Sequence, residues 1–252
     1  VANYQNAIYD NAVKIVTIVT TTLGSINSLI TSKISNEYFK GGIKRVANKI
    51  EKSMHLIIAS SIPATFGLIM VAKLFVPLFF GEGYSGTVEV IYSISPNIIT
   101  IPLSWCLLSA YYIPVGKRGL ANWVNMFAAI VDLVLCFVLI PKYKAVGAGI
   151  AYSSAEFAQM VLLIYYSRRD INWRKLIGAS LPKSLDASLL MMVVLELLNQ
   201  YTGIADLTKL ILMLVLGILT FAILIVAFRE ELIIEIIKDA KKKFMRLIKS
   251  KP

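Results

Sequence analysis

The sequence predicts an all-α, polytopic membrane protein, a helix bundle with about seven transmembrane helices. Hydrophobic residues make up 57% of the 252 residues, and the mean hydropathy is +0.71. Charged residues make up only 16%, whereas a soluble domain usually carries about 25%. Apolar runs of about 20 residues, enough to cross a bilayer as a helix, recur along the chain. These observations favour a membrane bundle over a soluble domain.

The apolar runs and the turns between them give the expected helix bounds. These bounds are 4–34, 53–80, 87–113, 120–140, 146–167, 184–200 and 209–228. Pro96 and Pro102 predict a kink in the third helix, because proline lacks the amide hydrogen that continues the helical ladder. Pro141, Lys142 and Tyr143 are expected to stop the fourth helix. Gly147 and Gly149 predict close packing of the fifth helix against a neighbour.

The net charge of +11 is distributed in a way that fixes membrane orientation. Most of the 26 Lys and Arg fall in every second loop and in the C-terminal tail. Basic loops stay in the cytoplasm, so the sequence predicts a multi-pass protein of the inner (cytoplasmic) membrane with a cytoplasmic C-terminus. The pattern makes membrane lipids the expected partner and argues against nucleic acid.

The tail, residues 229–252, differs from the rest of the chain. Apolar residues such as Ile233, Ile237 and Phe244 recur at helical spacing, and lysines crowd the other positions. This pattern predicts a basic amphipathic helix that lies along the anionic inner leaflet. Binding of a partner protein is the alternative.

The first predicted helix has an unusually polar side. Its polar positions are Asp10, Lys14, Thr17, Thr20, Thr21, Gly24, Asn27, Ser28 and Thr31. Steps of three and four residues place most of them on one helical face. Either this face lines a hydrophilic cavity of a transporter, or its small hydroxyl residues mediate helix packing. Asp10 and Lys14, an acid four residues before a base, favour the cavity.

Two carboxylates are expected at bilayer depth, Asp132 in the fourth helix and Glu156 in the fifth. Ionisable groups inside a membrane are costly and are functional candidates by default. They predict either a proton or cation relay, or a buried network that holds the two helices together.

Basic residues at cytoplasmic helix ends form a second candidate group, Arg45, Lys49, Lys117 and Arg118. They either attract a phosphate head group at a cavity mouth or serve only to determine topology.

The sequence shows no pattern typical of catalysis. His55 is the only histidine and has no acidic or cysteine partners at metal-ligand spacing. Cys106 and Cys136 lie inside apolar runs, and a glycine-rich phosphate-binding loop is missing from the sequence. We therefore predict neither an enzyme nor a metal or cofactor site.

Residues 114–157 read PVGKRGLANWVNMFAAIVDLVLCFVLIPKYKAVGAGIAYSSAEF. This passage resembles a helical hairpin of bacterial polysaccharide flippases of the O-antigen and capsule type. These belong to the multidrug/oligosaccharidyl-lipid/polysaccharide exporter superfamily. Residues 4–14, 51–53 and 80–84 resemble further motifs of that family at the expected distances. The chain departs from the family pattern at Asp132 and Cys136, where asparagines are expected, and at Lys144, where glycine is usual.

The resemblance implies a two-lobed transporter with a central cavity. Residues 1–170 would form the second lobe without its first helix, 171–228 two additional transmembrane helices, and 229–252 the cytoplasmic tail. The missing N-terminal half of the same protein would be the partner lobe. Of the family's cavity residues, Lys14 is the one carried over.

The implied function is translocation of a polyprenyl-diphosphate-linked oligosaccharide by alternating access, for cell-surface polysaccharide biosynthesis. A cation-coupled antiporter for drugs or metabolites is the alternative within the superfamily. A membrane enzyme of polysaccharide assembly is less well supported, because the predicted outer loops are short.

Overall fold

A computed structural model describes residues 2–200 and 205–227. The described chain is helical apart from short turns, which confirms the all-α prediction. Its helices are α1 (Ala2–Phe80), α2 (Gly86–Ile94), α3 (Asn97–Leu107), α4 (Arg118–Ser167), α5 (Trp173–Asn199) and α6 (Asp206–Ala227). A 3-10 turn, Glu82–Tyr84, precedes α2, and a π-helical turn, Leu108–Tyr112, continues α3. The predicted tail, 229–252, lies outside the described residues.

Two of the helices are bent into pairs of arms. The bend in α1 is at Gly42 (φ 67°), and the bend in α4 is at Lys144 (φ 53°). We call residues 2–41 and 43–80 the first and second arms of α1, and residues 118–143 and 145–167 those of α4. Counted in this way, the expected helical segments are all present in the described part of the chain.

Four segments of the described chain are long and apolar enough to span a membrane. They are Lys49–Phe80, Gly86–Tyr112, Arg118–Ser167 and Asp206–Ile223. A straight α4 would measure about 75 Å, far more than a hydrocarbon core of about 30 Å. The bend at Lys144 therefore lets α4 cross as two antiparallel arms. Residues 3–25 of the first arm and the described part of α5 carry more polar and charged residues, and neither of these described stretches is as apolar as the four segments.

The third segment is broken where the prolines predict. α2 ends at Ile94, Ser95 and Pro96 form the junction, and α3 begins at Asn97. Pro102 lies inside α3. The break sits near the middle of the segment, between the turn after α1 and the turn before α4.

The expected basic loops at 35–52 and 168–183 are largely wrong. In the first, the backbone is helical on both sides of Gly42. In the second, α5 begins at Trp173, where the Asn172 side chain accepts a hydrogen bond from the Lys175 amide at 3.2 Å. Lysine and arginine are good helix formers, so charge marks where a segment leaves the membrane and not where its helix ends.

The fourth helix ends slightly later than the predicted residue 140. The helix continues through Tyr143, and the chain turns at Lys144 (φ 53°, ψ −127°). L-residues rarely adopt this conformation, whereas glycine adopts it freely. This explains why the flippase resemblance leads us to expect glycine at this position.

Replacing Lys144 with glycine is expected to stabilise the protein by about 1 kcal/mol. A non-glycine residue in such a region costs about 1–3 kcal/mol, and glycine adds back about 0.5–1 kcal/mol of chain entropy. Thermal denaturation should show a Tm increase of about 2–4 °C. Lys142→Gly is the matched control and should lower the Tm, because Lys142 lies in regular helix. An equal or lower Tm for Lys144→Gly would contradict the interpretation.

The arms of α4 pack unusually closely after the turn. A Cβ on Gly147 would lie 2.4 Å from the carbonyl oxygen of Leu139. A Cβ on Gly149 would lie 2.1 Å from Oγ of Ser93 in α2. The prediction that these glycines permit close helix contact is thus confirmed. They bring the α4 hairpin against itself and against α2.

Buried apolar side chains form two clusters, one at each end of the bundle. The basic-end cluster joins the second arm of α1, α3, α4 and the start of α5, and includes Met54, Leu107 and Trp173. The far-end cluster joins both arms of α1, α2, α5 and α6, and includes Ala12. Phe66 packs against both clusters. Trp173 is buried and donates from Nε1 to Oγ of Ser167 at 3.0 Å.

The outer surfaces of the bundle are strongly apolar. Trp123 and Phe137 on the first arm of α4 are 67% and 75% exposed, and Ile218 on α6 is 71% exposed. Exposed apolar side chains on this scale suit contact with lipid and not with water. These faces of the described bundle are therefore suited to the hydrocarbon of the bilayer.

Candidate functional site

The first arm of α1 has one face packed on the bundle and one face turned away from it. Ile8, Ala12, Ile15 and Val16 are buried in the far-end cluster. The side chains exposed on the other face include Asp10, Lys14, Thr17 and Thr21. Within the described chain, this polar face is therefore not covered by other helices.

The hydroxyls of Thr20 and Thr21 are satisfied by their own helix. Thr21 donates to the carbonyl of Thr17 at 2.7 Å, and Thr20 donates to the same carbonyl at 3.0 Å. Such bonds leave the hydroxyl oxygens free to accept from a polar ligand. Thr20, which the sequence places at the edge of the face, is buried. The side chains of Asn27 and Ser28 lie outside the described part of the structure.

A cleft of about 630 Å³ opens between the first arm of α1 and the turn of the α4 hairpin. It is lined by Gln5, Asn6, Tyr9, Asp10, Ile140, Lys144, Ala145 and Ala148. Gln5 Oε1 accepts from the backbone amide of Ala145 at 3.2 Å and so ties the arm to the hairpin. The cleft places Asp10 and Lys144, residues of opposite charge, in one recess whose lining is otherwise mainly apolar.

The α4 hairpin brings Asp132 and Glu156 into one group, as their helix positions suggest. Both are half-buried, and their carboxyl groups interact electrostatically. Asp132 also interacts electrostatically with the hydroxyl groups of Tyr9 and Tyr152. The Cys136 thiol lies 3.7 Å from Oδ1 of Asp132. The group joins α4 to the first arm of α1, beside the cleft. Its geometry suits either of the predicted roles, a relay or a buried network.

The basic mouth residues differ in their surroundings. Lys49 and Arg118 are exposed, whereas the side chain of Arg45 lies outside the described residues. Nζ of Lys117 donates to Oδ2 of Asp170 at 3.2 Å and to the Tyr111 hydroxyl at 2.7 Å. Lys117 thus already has a protein carboxylate as its anionic partner. Sequence reasoning missed Asp170, because it lies far along the chain from Lys117.

Asp170 lies in the turn between α4 and α5. The Tyr111 hydroxyl donates to it, and Lys117 adds a hydrogen bond and a positive charge. These contacts lower the pKa of Asp170 below its ordinary value of 3.8. Because the folded-state pKa is lowered, the ionised carboxylate stabilises the fold above pH 3.8. That stabilisation is lost as the pH falls through the folded-state pKa.

Asp170→Asn is expected to lower stability modestly at pH 7, by less than about 1 kcal/mol, because the pair is partly exposed. Thermal denaturation of the two proteins should show a Tm gap at pH 7 that closes below the ordinary pKa of Asp170. Asp186→Asn, at an exposed position on α5, serves as control. A gap that persists unchanged at pH 3 would rule out the ionised contact as its source.

An apolar groove of about 570 Å³ lies between the second arm of α1, α5 and α6, and Val19 of the first arm also lines it. It is lined by Val19, Ser60, Pro63, Ala64, Gly67, Leu68, Val71, Met191, Leu195, Met213, Leu214, Gly217, Ile218, Phe221 and Ala222. Small residues on the second arm of α1 keep it open. The spacing of Pro63, Ala64, Gly67 and Val71 indicates this side of the groove in the sequence. The sequence of α6 is aliphatic on all sides, so it does not indicate which of its faces lines the groove.

The family model for the lipid II flippase MurJ matches residues 2–216 of this chain. A solved structure of the lipid II flippase MurJ in an inward closed conformation superposes with a TM-score of 0.74 at 16% identity. It covers 91% of this chain, and this chain covers 48% of it. The capsular polysaccharide biosynthesis protein CapF of Staphylococcus aureus is 26% identical over 92 residues. That match covers 36% of this chain and 23% of the relative.

These matches confirm the resemblance to flippases of lipid-linked saccharides. This chain spans about half the length of the solved relative and under a quarter of the curated one. The family consists of transporters of the inner membrane and not of enzymes. The matched region runs from the first arm of α1 into α6, so it includes the polar face, the carboxylate group and most of the groove. This chain belongs to the lipid II flippase MurJ family.

Proposed function

We propose that this chain forms one lobe of a flippase that moves a polyprenyl-diphosphate-linked oligosaccharide across the cytoplasmic membrane by alternating access. The product would serve cell-surface polysaccharide biosynthesis. Family membership supports translocation of a lipid-linked precursor. That the saccharide is an oligosaccharide is our proposal beyond family membership.

The observation that carries this proposal is the pairing of a polar face with an apolar groove on one helix. Thr17 and Thr21 are exposed on the first arm of α1, and Val19 between them lines the groove. Residues two apart point to opposite sides of a helix. A substrate with a polar head and a polyprenyl tail has matching chemistry. The head would lie along the polar face and the tail in the groove.

Lys14 is the cation of the polar face and would contact the diphosphate. A charged hydrogen bond to phosphate is stronger than a neutral one. Asp10, one turn earlier, would orient Lys14 or bind sugar hydroxyls. Thr17, Thr21, Asn27 and Ser28 would offer further polar contacts. At the opposite end, Lys49 and Arg118, with Arg45, would attract the phosphate to the mouth, while Lys117 is engaged with Asp170.

The carboxylate group supports a role in ion coupling. Asp132 and Glu156 interact with each other beside the cleft that Asp10 and Lys144 line. Two carboxylates near one another suit exchange of a proton or cation during a transport cycle. In the alternative function, a cation-coupled antiporter for drugs or metabolites, this group would be the essential one and Lys14 would be dispensable.

The organisation proposed from the sequence fits this scheme. Residues 1–170 would supply the lobe, 171–228 the two additional membrane helices and 229–252 a cytoplasmic tail on the inner leaflet. A second lobe from the N-terminal half of the same protein would complete the cavity. The basic residues of alternate turns support a cytoplasmic C-terminus.

Reconstitution of the complete protein into vesicles tests the proposed function. A polyprenyl-diphosphate-linked oligosaccharide with a labelled sugar is placed in both leaflets, and an impermeant glycosidase is added outside. Flippase activity would expose the inner-leaflet pool to the glycosidase, and empty vesicles would protect it. Ion-driven efflux of a cationic dye without lipid exposure would favour the antiporter instead.

A further inference from the structure

The third membrane segment, Gly86–Tyr112, is the most enclosed of the four spanning segments in the described chain. In its apolar 18-residue stretch, 67% of the residues are buried, compared with 11% in the corresponding stretch of α4. The segment is broken at its centre, at Ser95 and Pro96. Polar groups just after this break are therefore shielded from water outside the protein and from lipid.

Three such polar side chains follow one another on α3. Asn97, Thr100 and Ser104 are 0%, 3% and 0% exposed. The steps of three and four residues place them on one side of the helix. Neither amide atom of Asn97 has a hydrogen-bond partner among the described residues, and the same holds for the hydroxyls of Thr100 and Ser104.

Most other buried hydroxyls of the bundle are satisfied within their own helices. Ser61 donates to the carbonyl of Ile57 at 2.7 Å, and Ser188 to that of Ser184 at 2.6 Å. Buried polar groups in proteins almost always have a partner, and hydrocarbon supplies none. Three adjacent groups without one therefore indicate a ligand that bonds to all of them.

The chemistry of the site indicates a neutral ligand. Neither α3 nor residues 56–72 of the second arm of α1, which pack against it, contain a charged side chain. A cation held by neutral groups alone would have to give up its hydration without a compensating charge. Water needs only two to four hydrogen-bonding partners and acts as both donor and acceptor. Thr65 lies between Ile62 of the basic-end cluster and Leu68 of the far-end cluster. Because α3 also contributes residues to both clusters, Thr65 lies at about the same depth in the bundle as the polar row.

We propose that Asn97, Thr100 and Ser104 bind a short file of ordered water molecules inside the lobe. The site lies directly below the break between α2 and α3. In an unbroken helix the amide of Asn97 would donate to the carbonyl of Ser93, whereas here Oγ of Ser153 donates to that carbonyl at 2.7 Å. Water beneath the break supplies bonds that can be re-made as α2 and α3 change their angle. The segment is thus a hydrated pivot.

The test compares substitutions that remove one hydroxyl each in the complete protein; Thr100→Val keeps the shape of the side chain. Thr100→Val and Ser104→Ala each remove a hydroxyl that binds water and should lower the Tm by about 2–4 °C. Their effects should be less than additive, because neighbouring waters are shared. Ser188→Ala is the matched control: it is equally buried but bonded within its own helix, and its effect should add to either variant. A raised or unchanged Tm for Thr100→Val would overturn the proposal, because a dry hydroxyl is better replaced by a methyl group of the same shape.

A direct measurement keeps the proposal testable if the variants fail to fold. An experimental map of the wild-type protein at about 2 Å should show water peaks 2.7–3.2 Å from the Asn97 amide atoms. A map of that quality with these atoms bonded to protein groups, or with no density beside them, would overturn the proposal.

Discussion

Lys14→Ala is expected to reduce translocation of the lipid-linked oligosaccharide by about 10- to 100-fold. A hydrogen bond from a charged group contributes about 1.5–3 kcal/mol, and each 1.4 kcal/mol is a factor of ten. Lys14 is exposed on the first arm of α1, so its removal should leave folding and insertion intact. The initial rate of glycosidase access in vesicles measures the effect.

Two variants make this result specific. Lys14→Arg keeps the positive charge and should retain most of the activity, because arginine also binds phosphate. Lys73→Ala removes an exposed lysine from the second arm of α1, away from the polar face, and should transport normally. Normal transport by a properly inserted Lys14→Ala protein would remove Lys14 from the cavity and favour the antiporter.

Gly147→Ala is expected to have the largest effect on stability. Its new Cβ would lie 2.4 Å from the Leu139 carbonyl oxygen and 2.6 Å from the carbonyl carbon. These are backbone atoms that cannot rotate away, so the two arms of α4 must separate. The expected loss is about 3 kcal/mol, at the upper end of overpacking effects. Thermal denaturation should show a Tm decrease on the order of 10 °C.

Gly178→Ala is the control for this substitution. Gly178 lies in α5, and a Cβ there would meet nothing within 4 Å. Alanine favours helix over glycine by about 1 kcal/mol, so this variant should be as stable as the wild type or more so. Similar Tm values for the two variants would show that the arms of α4 are not in tight contact.

The sequence predicts the helical segments well because their apolar runs follow from the thickness of the bilayer. The break at Pro96 and the close approach at Gly147 also follow from local chemistry, namely a missing amide hydrogen and a missing Cβ. Helix ends are predicted less well. Residues 43–52 and 173–183 are basic and helical at once, and charge alone cannot separate a loop from a helix that extends beyond the membrane.

Some parts of the candidate site could likewise be predicted from the sequence, and others could not. The exposed face with Asp10 and Lys14 follows from helical spacing, since one face of the arm must pack and the apolar face does so. The contact between Lys117 and Asp170 depends on how α3, α4 and the turn before α5 meet, which no local pattern encodes. The apolar groove depends on the angle between α6 and the second arm of α1. The hydrogen-bonding state of Asn97 likewise depends on its neighbours in space.

The division of the buried core into two clusters has a consequence for communication across the bilayer. Among the apolar side chains of the described residues, Phe66 is the one that packs against both clusters. Packing at this aromatic ring is therefore a direct side-chain route by which a rearrangement at one end of the lobe reaches the other, besides the backbone of the helices themselves. Because few side chains connect the two clusters, one end of the lobe can open while the other end stays closed. A transporter that works by alternating access needs this, since both ends open at once would make a channel.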